Sequence, residues 1–454
     1  MTYRTLNPAT GELVQTYPEV DWSEIQIVAE ESQQAFFKWR ETPFQTRRDL
    51  FLKVAEKLSA HKPEFASLMT QEMGKTIVES EKEVEKCVWG CNFYAEQAEG
   101  FLKPQRIVSD ASRSYVRFDP LGVILIIMPW NFPFWQVFRC AVPALMAGNT
   151  VILKHAPNVP GCAVTIERLF NEVGFPKGVF QSIFCDSETV ARLIESPVIA
   201  GVSLTGSSRA GSSVAATAGR AIKKVVLELG GSDPFIVLPD ADLAKCVPMA
   251  LYSRMLNCGQ SYIAAKRFIL TKRIAKEFEE GFLKAVEAQR VGDPTMRETN
   301  IGPLAREDLL QNLSRQVDES KKRGAVCLRG GERLSRKGYF YLPTVLKEVQ
   351  PGMAAFDEET FGPVASLIVA QDEEEAMEFA NRTPYGLGAS LWTKNLEKAE
   401  RLAAKIDAGS VFINGTTKSD PRLPFGGTKR SGFGRELSSF GIQEFTNLKT
   451  VWIA

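Results

Sequence analysis

The chain has 454 residues, 44% hydrophobic and 24% charged, with 55 basic and 54 acidic side chains and a net charge of +1. That length suits two or three domains of roughly 100–200 residues, and the even charge offers no basic excess to draw nucleic acid or anionic lipid. The opening residues lack the apolar stretch of a signal peptide. The longest apolar run, Val123 to Met128, is far short of the roughly 20 residues that span a bilayer, so a cytoplasmic protein is expected.

Residues 22 to about 103 read as successive amphipathic helices. Ile25, Val28, Ala29 and Ser32, then Leu50, Val54, Ala55 and Leu58, follow helical spacing. Ser112 to Phe118 alternates like an exposed strand, and Leu121 to Met128 reads as a strand buried on both faces. Helices at about 134–147, 161–172 and 187–195 then alternate with strands at Thr150–Lys154, Val179–Phe184 and Ile199–Thr205. Such alternation predicts a parallel, doubly wound sheet with ligands at the carboxyl ends of its strands. A second alternating stretch starts at Pro234–Leu238 and includes strands near Phe268–Leu270, Ala365–Val369 and Ser410–Asn414. The apolar tail Leu448–Ala454 is a strand that needs a sheet to dock on, in this subunit or another.

Eight cysteines scattered through so long a chain argue for small buried hydrophobes rather than a disulfide framework. Cys87 and Cys91 can share a helical face, but no second pair completes a zinc site. With only two histidines, His61 and His155, no metal is expected.

Several short segments suit chemistry. Pro129-Trp130-Asn131-Phe132-Pro133-Phe134 is a turn between a buried strand and a helix, where an asparagine is commonly an N-cap. Lys154 closes a strand and faces the expected ligand crevice; a solvated surface lysine is the alternative. Gly206-Ser207-Ser208-Arg209-Ala210-Gly211 follows a strand and opens a helix, which suits a phosphate without forming a GxGxxG fingerprint. Glu228 is flanked by leucines and followed by paired glycines, a setting that raises a carboxyl pKa towards neutrality. Glu358-Glu359-Thr360-Phe361-Gly362-Pro363 reads as a charged loop before a strand.

Together with Asn257-Cys258-Gly259-Gln260-Ser261-Tyr262, these segments resemble the aldehyde dehydrogenase superfamily, in order and spacing, over essentially the whole chain. The resemblance implies an α/β fold with two doubly wound parallel-sheet domains and a small β oligomerisation arm. The dinucleotide-binding domain would take residues 1–110 and 127–230, the catalytic domain 231–425, and the arm 111–126 and 436–454. It implies NADP or NAD as cofactor, held by Trp130, Lys154, Pro157, Gly206, Ser207, Ser208, Gly211, Leu229, Glu359 and Phe361. Position 157, often glutamate in NAD-specific members, is proline here. NADP is therefore not repelled, but Pro157 donates no hydrogen bond to a 2′-phosphate, and use of both nucleotides is expected. Asn131 would hold the oxyanion and Glu228 would act as general base. The Asn131 motif further resembles succinate-semialdehyde dehydrogenases, in which an arginine grips the substrate carboxylate. Arg139 would take that part with Trp135 and Ser419 beside it, the alternative being a plain ion pair to a neighbouring helix. A homodimer or homotetramer is implied.

One residue departs from the family pattern. Tyr262 stands where the family has its nucleophilic cysteine. A phenol with a pKa near 10 is a poor replacement for a thiolate, and its ring fills space meant for substrate. The tyrosine is expected to abolish or strongly impair turnover. An engineered substitution, a natural non-oxidising relative and a working tyrosine nucleophile all remain open. A nucleotide-binding pseudoenzyme that serves as an assembly or regulatory subunit is the alternative function, and an ester hydrolase using Glu228-activated water is a third.

Overall fold

The longest uninterrupted apolar stretch becomes the middle of a sheet. In the computed structural model, which describes residues 2–454, the strand Val123–Met128 is buried on both faces between Thr150–His155 and Ile199–Thr205. Six strands make up this first sheet, in the order Gly432–Phe433, Lys224–Glu228, Ile199–Thr205, Val123–Met128, Thr150–His155, Phe180–Ile183. All run parallel except the first, which pairs antiparallel with Lys224–Glu228. From Val123–Met128 the chain winds outward one way, then returns to build the other side. The reversal leaves a crevice between the carboxyl ends of Val123–Met128 and Ile199–Thr205, where open α/β sheets bind ligands.

Seven strands form the second sheet, ordered Val326–Arg329, Thr344–Lys347, Val364–Ala370, Ala265–Thr271, Asp233–Val237, Gly388–Trp392, Ser410–Ile413. Only Val326–Arg329 is antiparallel to its neighbour. The two sheets are joined head to tail. Lys224–Glu228 ends the first, and Leu229 to Ser232 lead directly into Asp233–Val237 of the second. The carboxyl edge of one sheet therefore faces the amino edge of the other, and Glu228 and Tyr262 stand at that seam.

The helices Trp22–Trp39, Phe44–Ala60, Lys62–Met73 and Ile77–Phe101 confirm the amphipathic reading. Ile25, Ala29, Ser32, Leu50, Val54, Ala55 and Leu58 are all buried. Asp21 starts the first helix with a capping box, its carboxylate accepting from Glu24 N while the Glu24 side chain accepts from Asp21 N.

A third sheet, antiparallel, joins Gln105–Ile107, Arg113–Pro120 and Thr446–Ile453. It covers most of the stretches expected to form an arm, with different edges. Gln105–Ile107 falls in the stretch assigned to the nucleotide domain. Residues 123–126, assigned to the arm, belong to the central strand of the first sheet, because their side chains are apolar on both faces. Met1, where the expected first domain begins, lies outside the described residues.

Candidate active site

A cleft of about 330 Å³ opens at the seam, lined by Pro129, Trp130, Asn131, Thr205, Gly206, Ser207, Glu228, Gly230, Tyr262, Arg306, Leu309, Glu359 and Phe361. Both edges of the crevice contribute, together with the start of the second sheet. Of the residues singled out in the sequence, Trp130, Asn131, Gly206, Ser207, Glu228, Tyr262, Glu359 and Phe361 meet here. The rings of Trp130 and Phe361 lie edge to face at 5.8 Å, and the Arg306 guanidinium sits 5.7 Å from the Trp130 ring. Arg306 and Leu309 carried no sequence signal, since they belong to no motif of the cleft's other walls.

The helix Ser208–Arg220 points its N-terminus at the cleft. Ser207 caps it by accepting from Ala210 N at 3.2 Å. Ser208 is turned aside and donates to Arg430 O at 3.3 Å. Gly211 and Leu229 do not line the cleft. They touch each other, and a Cβ on Gly211 would lie 2.5 Å from Leu229 Cδ2. Gly230 has a similar reason: its Cβ would lie 2.5 Å from Glu359 Oε2. The space around Glu359 and the helix N-terminus is thus kept clear by glycines, which fits the phosphates and ribose of a dinucleotide. Lys154 sits half-buried at its strand's end with its ammonium 5.8 Å from the Tyr3 ring, and burial pushes its pKa down. Pro157 is exposed.

Asn131 is not an N-cap. The helix begins at Trp135, and its first donors, Phe134 N and Trp135 N, both give to Glu83 Oε1 at 2.9 Å. Asn131 is buried instead, with Nδ2 donating to Gln260 O at 3.1 Å. Glu228 is fully buried, and neither of its oxygens has a hydrogen-bond partner within the protein. Burial pushes its pKa well up, Arg139 opposes the shift, and Glu436 adds to it.

The segment before Tyr262 is strained and heavily tied. Asn257 and Cys258 have φ of 55° and 54°. Asn257 N donates to Glu79 Oε1 at 2.8 Å, and its Nδ2 donates to Asn131 O at 2.7 Å. The buried Lys266 ammonium donates to Ser261 O at 3.0 Å and Tyr262 O at 2.9 Å, and pairs with Glu359 Oε1 at 3.5 Å. Burial brings the Lys266 pKa down to about 8 against the pull of Glu359. Cys258, the thiol nearest in sequence, is buried outside the cleft with its pKa raised by burial.

Tyr262 is buried at the wall of the cleft. Its hydroxyl accepts from Arg139 Nη1, and its ring meets Phe425 edge to face at 6.2 Å. Burial raises its pKa, and Glu228 and Glu436 add to that against Arg139, so the phenol keeps its proton. Arg139 is itself ion-paired: its Nε lies against Glu436 and its Nη2 donates to Thr205 Oγ1 at 3.3 Å. The guanidinium expected to await a carboxylate is therefore an ion-paired one. Its partner lies in the loop before the helix Ser438–Glu444, because two buried opposite charges must pair. Trp135 and Ser419 meet each other, with Trp135 Nε1 donating to Ser419 Oγ at 3.0 Å, and neither reaches the cleft.

Comparison with known proteins agrees with this geometry. Residues 1–451 match the aldehyde dehydrogenase family. The chain is 50% identical to a probable succinate-semialdehyde dehydrogenase [NADP(+)] of Synechocystis sp., over 100% of both chains. It is 46% identical to a succinate semialdehyde dehydrogenase [NAD(P)+] of Escherichia coli, covering 99% of this chain and 97% of that one. A crystal structure of succinic semialdehyde dehydrogenase from Streptococcus pyogenes with NADP+ superposes with a TM-score of 0.97 at 36% identity, covering 99% of each chain. With its two parallel sheets, the cleft at their seam and a match over nearly its whole length, this chain belongs to the aldehyde dehydrogenase family.

Proposed function

We propose that this chain is a nicotinamide-nucleotide-binding aldehyde dehydrogenase of succinate-semialdehyde type whose oxidation step is blocked at position 262. The observation that carries the reading is the contrast inside one cleft. The walls that would hold a nucleotide are open, while Tyr262 turns its hydroxyl onto Arg139.

NADP or NAD would lie along Lys154, Pro157 and the Gly206–Gly211 turn, with Glu359 at a ribose, Trp130 and Phe361 towards the nicotinamide, and Leu229 supporting the turn from behind through Gly211. When bound, it supplies the hydride acceptor. The remaining chemistry falls to the chain. Asn131 Nδ2 gives one hydrogen to Gln260 O and keeps a second for an oxyanion. Glu228 is kept dry and without a partner, so its carboxyl holds a proton more tightly than usual and, once ionised, is a stronger base than an exposed carboxylate. The missing part is the attacking group. A phenol held protonated does not add to an aldehyde, whereas a thiolate at the same place forms the thioester that Glu228-activated water then cleaves. The names of the relatives support succinate semialdehyde as substrate, and exposed Ile107, Leu448, Trp452 and Ile453 on the arm suit a homodimer or homotetramer.

The same contact supports a second reading, a nucleotide-binding pseudoenzyme acting as an assembly or regulatory subunit, because Tyr262 and Arg139 satisfy each other as a finished core does. One experiment separates the two. NAD(P)H formation from succinate semialdehyde is measured for this chain and for Tyr262→Cys, with nucleotide binding followed in both. Turnover in the variant alone supports the dehydrogenase reading. A variant that binds nucleotide yet stays silent over a panel of aldehydes gives the answer to the pseudoenzyme.

A further inference from the structure

Glu359 and Tyr262 line the same cleft from different elements, and one buried cation holds both. Lys266 lies near the start of the strand Ala265–Thr271, fully buried. Its ammonium places all three protons on main-chain carbonyls, donating to Ser261 O at 3.0 Å, Tyr262 O at 2.9 Å and Ala264 O at 3.3 Å. It also lies 3.5 Å from Glu359 Oε1, which accepts from Gly231 N at 3.1 Å. Both contacts fall on Oε1. Oε2 faces the space kept clear by Gly230, where an added Cβ would lie 2.5 Å away.

Gly231 closes the clamp from the other side. A Cβ there would lie 2.5 Å from Tyr262 O, so the turn that gives its N–H to Glu359 also backs onto a carbonyl that Lys266 holds. Carbonyl acceptors alone do not require a buried charge, which is costly to desolvate; a carboxylate beside it does. The charged groups around the ammonium are Glu359, Asp233 and Arg254. Asp233 Oδ1 accepts from Gly388 N at 3.1 Å, and Arg254 Nη2 donates to Gly259 O at 2.6 Å. Arg267 turns away onto Ser232 O and Phe379 O, and Tyr385 meets Glu359 across Gly230. Burial, with Arg254 adding to it, brings the Lys266 pKa down to about 8, while Glu359 and Asp233 pull the other way. Burial brings Asp233 up to about 7 against Lys266.

We propose that Lys266 is a positioning residue that ties the two halves of the site together: it fixes Glu359 with one oxygen turned to the nucleotide, and it fixes the main chain from which the side chain at 262 enters the cleft. The second half rests on the dehydrogenase reading; the first needs only nucleotide binding. Lys266 touches neither nucleotide nor aldehyde and acts through Glu359 and the carbonyls. When it loses its proton, a neutral amine has two N–H groups for three carbonyls, and Glu359 stands as a buried anion without its cation beside an anionic nucleotide. Nucleotide affinity then falls, and the main chain at 262 loosens with it.

The test uses the full chain with Lys266 intact, Lys266→Met or Lys266→Arg. NADPH affinity is read by fluorescence titration from about pH 7 to 9.5, where the nucleotide's own phosphates stay ionised. With Lys266 intact, affinity is expected to fall as pH rises through about 8. Lys266→Met should be weaker by about tenfold or more at pH 7 and level with pH. Lys266→Arg, which keeps its charge throughout, should hold most of the affinity and also be level. In the Tyr262→Cys background, Lys266→Met should lower kcat at saturating nucleotide by about tenfold or more and leave KM for the aldehyde little changed. Affinity that is level with pH in the parent, or unchanged in Lys266→Met, overturns the proposal. So does a fall that persists in Lys266→Arg, which would belong to Asp233. Should Lys266→Met fail to fold, the parent against Lys266→Arg still decides. If Tyr262→Cys oxidises no aldehyde, the dehydrogenase reading fails on that count, and the NADPH titrations still decide the role of Lys266 towards Glu359.

Discussion

The two sides of the seam differ in what their polar groups are doing. On the nucleotide side the cleft is open, Glu228 has no hydrogen-bond partner and Asn131 Oδ1 has none either. On the other side Tyr262, Arg139, Glu436 and Thr205 are bound to one another. Buried polar groups are normally satisfied; Arg139 Nε and Glu436 Oε2 lack a hydrogen bond but meet as an ion pair, whereas Glu228 and Asn131 Oδ1 have neither, which marks where something else is meant to sit. By that measure the nucleotide side is built for a visitor, and the Tyr262 side is packed as interior.

The largest expected effect comes from undoing that packing. Tyr262→Cys removes the ring, frees one Arg139 donor and restores a thiol beside Asn131. NAD(P)H formation from succinate semialdehyde should rise by on the order of 10³-fold or more, the scale on which losing a nucleophile is felt. A stopped assay with both nucleotides decides it, and an unchanged rate would place the obstacle elsewhere than at Tyr262.

Next in size is Glu228. In the Tyr262→Cys background, Glu228→Gln keeps the shape and removes the base, and should cost about 10²–10⁴-fold in kcat. The sign of its pH dependence follows from the raised pKa. Below that pKa the carboxyl is protonated and idle as a base, so activity should climb as pH rises beyond the ordinary carboxylate range. Glu228→Gln should flatten that climb. A climb that persists in the glutamine variant would assign the titration to another group.

Arg139 tests the packed side alone. Arg139→Met leaves the Glu436 carboxylate buried without its cation, which should lower unfolding free energy by about 3–5 kcal/mol in urea. Adding Glu436→Gln removes the stranded charge and should recover most of that loss. If the single variant unfolds at the same urea concentration as the parent, the pair contributes little and the packed side is looser than it looks.

What the sequence revealed follows the same division. The strand Val123–Met128 was legible because burial on both faces writes itself as an apolar run, and Ile199–Thr205 because it alternates with helices; of Ala265–Thr271 only Phe268–Leu270 was legible, since the buried Lys266 and Arg267 break its apolar pattern. The cleft was legible as far as motifs at strand ends go, which is why Asn131, Gly206, Glu228 and Glu359 converge as expected. The partners were not. Lys86 meets Ser419 across 333 residues of sequence, and Glu79 meets the turn at Asn257 across 178. Such contacts leave no period or spacing to read. Arg139 shows the cost: its residue type suits a carboxylate, but which carboxylate depended on Glu436, a residue outside every motif considered. The arm boundary slipped for a related reason, since Arg113–Pro120 and Val123–Met128 are nearly continuous in sequence and only their partners assign them to different sheets.

The smallest effect probes whether the nucleotide side is as preformed as its open cleft suggests. Gly211 lies in the first turn of Ser208–Arg220, and Leu229 packs where its side chain would be. Gly211→Ala puts a methyl 2.5 Å from Leu229 Cδ2 and 2.6 Å from its Cδ1, so either Leu229 rotates or the helix N-terminus retreats from the cleft. Overpacking of this kind costs about 1–3 kcal/mol. A retreat of the helix would appear as weaker NAD(P)H binding by fluorescence titration with thermal stability little changed, because the helix N-terminus is what favours a phosphate. A shift of Leu229 alone would lower the melting temperature and leave nucleotide affinity as it was. In the Gly211→Ala, Leu229→Ala double variant the methyl has room, and nucleotide affinity should return if the clash is what moved the helix. Should it stay weak, glycine at 211 serves close approach of the nucleotide itself, and the preformed side of the seam extends one turn further into the helix than the cleft lining shows.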